Sequence, residues 1–104
     1  MIEQIFQMTQ NDNHTIEKVI TDENVNLNHM ILNKNEGLPE HFSNSNVYMA
    51  VLRGLLSIGL DQQEIHEYPA GTVLKIPKGI KMNVKNSQDN TLELIVVKAP
   101  ASGK

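Results

Sequence analysis

Between residues 15 and 98 the chain alternates short apolar-rich runs with polar punctuation. Eight runs read as β-strands: 15–20, 24–32, 47–52, 55–60, 64–68, 72–76, 81–85 and 91–98. They are rich in Val, Ile and Leu, and Asp, Asn, Gly or Pro clusters bound them. Thr21-Asp22-Glu23, Arg53-Gly54, Asp61-Gln62-Gln63, Lys78-Gly79 and Ser87-Gln88-Asp89-Asn90 read as turns. In the second run the alternation has period two, so Val25, Leu27, His29 and Ile31 share one face, expected to point inward. No internal window has the period of a long helix. About eight closely spaced strands in some hundred residues point to an all-β sandwich, barrel or jelly roll, closed so as to leave few open edges. Outside the strands, Ile2, Ile5 and Phe6 stand at a loose helical spacing before a polar run, as one short turn or an arm. The division expected is an N-terminal arm over 1–14, one barrel domain over 15–99 and a flexible tail over 100–104.

Composition narrows the function classes. Hydrophobic residues are 39% of 104 positions, enough for a single core and too few for two. The net charge of −3 argues against nucleic acid and anionic membrane as partners, because both need a basic face. Aromatics are 4% with no Trp, so stacking platforms for single strands are missing. There is no cysteine, which removes disulfides, iron–sulfur clusters and thiol nucleophiles together. Apolar runs such as 92–97 are too short to span a bilayer as helices, and the first residues lack the positive charge of a secretory signal. A cytoplasmic address is expected.

Two segments carry a more specific pattern. In the second, Gly71 is followed after five residues by Pro77, then Gly79, then after two residues Met82 and after three more Asn86. In the first, His41, Ser43 and Val47 precede Gly54, which falls six residues beyond Val47. Together these segments resemble the two signature motifs of the cupin superfamily in its small single-domain form. The first family motif runs Gly, His-x-His, three or four residues, Glu, six residues, Gly. The second runs Gly, five residues, Pro-x-Gly, two residues, His, three residues, Asn. The resemblance covers roughly residues 20–98 and implies a cupin-type double-stranded β-helix, a jelly-roll barrel curled around an interior pocket. It departs at the opening glycine, since Gly37 lies closer to His41 than the pattern asks.

The resemblance also implies four inward ligands, three histidines and a glutamate, holding iron, manganese, nickel or zinc. Of these four positions only His41 keeps its ligand type; Ser43, Val47 and Met82 occupy the others. A hydroxyl, an isopropyl and a thioether do not make a site for such ions, so neither metal nor cofactor is expected. His41 is left with three readings: a polar handle on a ligand, a histidine satisfied by backbone or water, or a metal ligand with other partners. Met30, Met49 and Met82 read as core filling before they read as a soft-metal cluster. The expected pocket lining is His41, Ser43, Val47, Met49, Met82 and His29, an apolar cavity with a few polar groups. His29 has two readings, a core histidine or a partner of His41 in a non-standard site. His14 shows no partner, Arg53 reads as a solvated turn residue, and Glu93 lacks neighbours that mark acid–base work. Two functions follow: a cupin-like protein without the usual metal site that binds an unidentified small molecule or acts as a regulatory protein, or a cupin-type enzyme, an isomerase or dioxygenase relative, with an altered site. Small cupins commonly pair, and the apolar arm supports a homodimer.

Overall fold

The computed structural model describes residues 1–101. Its nine strands are β1 Thr15–Thr21, β2 Asn26–Leu32, β3 His41–Phe42, β4 Asn46–Arg53, β5 Leu55–Leu60, β6 His66–Pro69, β7 Val73–Ile76, β8 Lys81–Lys85 and β9 Leu92–Ala99. Eight answer the runs of the sequence to within a few residues. The ninth, β3, has two residues, too short to show any alternation. Among the described residues there is no helix, and hence none long and apolar enough to cross a membrane.

The strands form two antiparallel sheets, ordered β1-β2-β9-β4-β7 and β3-β8-β5-β6. Neighbours distant in sequence, such as β2 with β9, are the crossovers of a jelly roll and give the double-stranded β-helix. Inward side chains follow from register. On the five-stranded sheet Met30 lies opposite Leu94 and Leu32 opposite Leu92, and Met49 lies opposite Val96. From the other sheet come Leu56, Ile58, Met82 and Val84, and all of these residues are buried in one core.

This register reverses the expected orientation of β2. Its inward face is Asn26, Asn28, Met30 and Leu32, so Leu27, His29 and Ile31 face outward. The alternation was legible but not its direction, because both faces of β2 are largely covered.

Turn chemistry places the motif glycines. Gly54 is the single residue between β4 and β5, at φ +82°, and an added Cβ would collide with the Thr91 carbonyl. Only glycine combines that conformation with that approach. Residues 1–14 run without regular structure and are exposed. Of the expected tail, Pro100 accepts a hydrogen bond from the Ser45 hydroxyl, and 102–104 lie outside the described residues.

Candidate functional site

A cavity of about 260 Å³ opens into the barrel. Its buried floor is Met30, Met49, Met82, Val84 and Val96. Its more exposed rim is Ile16, Leu38, Pro39, His41 and Lys98. The wall is therefore apolar with two polar groups, and no carboxylate lines it. β3 sets His41 directly opposite Met82 on β8, which brings two of the four motif positions together at the cavity. His41 Nδ1 lies 2.8 Å from the Pro39 carbonyl oxygen. A carbonyl only accepts, so Nδ1 donates and Nε2 is the nitrogen left for other partners.

Three of the six expected lining residues, His41, Met49 and Met82, stand around this cavity, and three do not. Ser43 is buried, and its hydroxyl donates to the Pro77 carbonyl (2.8 Å) and accepts from the Ile80 amide (3.0 Å). Its backbone also bonds Ile80 and Gly79, so Ser43 staples the β3–β4 link to the Pro77-Lys78-Gly79 turn. Val47 is fully buried between Lys98 and Ile76 in the sheet and belongs to the core. His29 lies on the outward face of β2, away from His41.

This donor set does not fit the metal of the family pattern. His41 keeps Nε2 free but would ligate alone, because the Ser43 hydroxyl is committed on both sides and Val47 and Met82 offer no hard donor. Among the described residues no group of three or more His, Cys, Asp or Glu is placed to hold a metal ion.

The outward face carries a charge cluster that the sequence did not reveal. His29, with none of its surface exposed, has Nδ1 2.7 Å from Glu17 Oε2 and Nε2 2.6 Å from Glu93 Oε2. Both partners are carboxylates, so both ring nitrogens donate and the ring is an imidazolium. Burial works against that charge, but the hydrogen bonds to Glu17 and Glu93 outweigh it and raise the pKa of His29 above its ordinary value. The His29 bond, reinforced by Thr9, lowers Glu17. Burial would raise Glu93, yet His29 and Arg53 together lower it.

The cluster reaches the arm. Glu17 accepts from the Thr9 amide and hydroxyl, both at 2.8 Å, and Arg53 bridges Glu93 and Asp12, each at 2.7 Å. Arg53 is thus no free turn residue, and Glu93 has two charged neighbours. His14 likewise has a partner, Glu36, at 2.9 Å. Register would have found Glu17 opposite His29, but nothing in the sequence pairs β2 with β9 or folds the arm back.

The fold and this apolar cavity define a double-stranded β-helix of the compact cupin type. No family model matches the sequence. The chain is 35% identical over 101 residues to the uncharacterised protein MJ0764 of Methanocaldococcus jannaschii, covering 96% of this chain and 87% of that one. The crystal structure of that protein, described as an RmlC-like cupin with a double-stranded β-helix fold, superposes with a TM-score of 0.93, covering 96% of this chain and 93% of the other. The chain belongs to the RmlC-like cupin family. An RmlC-like cupin from Desulfovibrio desulfuricans, 21% identical, shares the fold with a TM-score of 0.78 over 98% of this chain and 99% of its own. So does a cupin superfamily protein from Desulfitobacterium hafniense, 12% identical, with a TM-score of 0.76 over 89% of this chain and 83% of its own.

Proposed function

We propose that this protein is a metal-independent cupin that binds a small, largely apolar molecule inside its barrel. The observation that carries the reading is the cavity of about 260 Å³, walled by apolar side chains, with His41 and Lys98 at its rim. Apolar walls with few convergent polar groups are the usual make-up of a small-molecule site. The enzyme alternative, an isomerase or dioxygenase relative, has less support. Among the described lining residues there is no Asp or Glu to pair with His41 in acid–base work.

Native mass spectrometry of gently purified protein tests the reading. A substoichiometric or full organic adduct is expected, and Met49→Trp, which fills the cavity, abolishes it. Transition metal should stay well below one equivalent. A stoichiometric metal ion without an organic adduct would overturn the proposal.

The assembly we propose is a homodimer. Ile2, Ile5 and Phe6 are 101%, 64% and 46% exposed, a cluster of apolar side chains close together in sequence that a second copy can cover.

A further inference from the structure

We infer that the cavity selects small apolar acids, molecules with a hydrocarbon body and one carboxylate, by placing Lys98 at its rim. The inference rests on the cavity being a ligand site and adds the charge of its occupant.

Lys98 lies near the end of β9, opposite Asn26 and Val47, half-buried. Among the described residues of the lining it is the one lysine or arginine, and no Asp or Glu stands beside it. Among the described residues it makes no ion pair and no side-chain hydrogen bond. Arg53 pairs with Glu93 and Asp12, Lys34 with Asp89 and Lys81 with Glu40, whereas Lys18, Lys75, Lys78 and Lys85 stand like Lys98 without an ion pair among the described residues but do not line this cavity. The half-buried Lys98 side chain borders an apolar space and has no counter-ion among the described residues. A carboxylate entering the cavity supplies that counter-ion where the dielectric is lower than in bulk, and a charge-assisted hydrogen bond with it. An amine meets repulsion at the same place, and a neutral alcohol gains only the apolar contact.

The cavity also limits the body of the ligand. A cavity of about 150 Å³ holds benzene. The volume here, about 260 Å³, therefore suits roughly ten non-hydrogen atoms.

Calorimetric titration of the full chain with octanoate, 1-octanol and octylamine separates body from charge. The expected order of affinity is octanoate, then octanol, then octylamine, with about tenfold between the first two. Lys98→Met should bring octanoate down to octanol while leaving octanol within about twofold. Lys98→Gln repeats the test with a polar replacement, and thermal melts establish that each variant is folded. Equal affinity for octanoate and octanol, or octanoate unaffected by both variants, overturns the charge assignment and leaves the apolar site standing. No binding of any of the three overturns both readings. Binding undiminished by Met49→Trp puts the ligand elsewhere on the surface and also overturns both.

Discussion

An imidazole with a carboxylate oxygen on each nitrogen has to carry both protons, and His29 does so with no exposed surface. The charged groups facing it are Glu17 on β1 and Glu93 on β9, with Arg53 on β4 and Asp12 in the arm completing the network. The pH dependence follows in sign. The raised His29 pKa contributes stability in full below the ordinary histidine value of 6.5, lost as pH climbs through the folded value. The lowered pKa values of Glu17 and Glu93 contribute above the ordinary 4.5, lost as pH falls through their folded values. The cluster is therefore strongest between about pH 4.5 and 6.5. Melting temperature should peak in that window and fall toward pH 9, and His29→Gln should flatten the alkaline limb. A wild-type profile that stays level from pH 6 to 9 would refute the assignment of charge to His29.

At the scale of the element, the Pro77-Lys78-Gly79 turn shows how a motif can keep its geometry and change its chemistry. The spacing of Gly71, Pro77 and Gly79 still sets Met82 inward on β8, while Ser43 holds the turn by hydroxyl and backbone hydrogen bonds. A histidine there would have to abandon both hydroxyl contacts. Ser43→Ala leaves the Ile80 amide and Pro77 carbonyl without their side-chain partner and should cost about 0.5–1.5 kcal/mol in urea unfolding. A loss below ~0.3 kcal/mol would mean that the backbone bonds alone fix the turn. The strand β3 was not legible for a related reason. Its two residues are ordered by pairing with β8, which is a long-range contact with no local pattern.

For the molecule as a whole, the arm is fastened in its second half and open in its first. Thr9, Asn11 and Asp12 bond to Glu17 and Arg53, whereas Ile2 and Ile5 project into solvent. Anchoring one end sets the position from which the apolar end meets a second copy. Light scattering at micromolar concentration should return a dimer, and deletion of residues 1–6 should shift it toward monomer. A full-length monomer at that concentration would sink the proposed assembly.

Alternation and turn residues were enough to determine an all-β chain and the strands β1, β2 and β4 to β9 to within a few residues, while the cupin-type barrel was implied by the resemblance of two motifs to that family. Each of these is written in local periodicity or at short fixed offsets. The spacing also carried Met82 to the cavity, because the Pro77-Lys78-Gly79 turn aims the strand that follows it, and His41 arrives there by pairing with Met82. What depended on the tertiary structure was direction and long-range pairing. Leu27, His29 and Ile31 share a face by sequence, but only the pairing of β2 with β1 and β9 turned that face outward, where Thr9 of the arm bonds Glu17 beside His29. Register between β4 and β9 likewise put Val47 in the core and Lys98 at the rim. A period of two records that neighbouring side chains part company; which of them meets the interior is settled by contacts far along the chain.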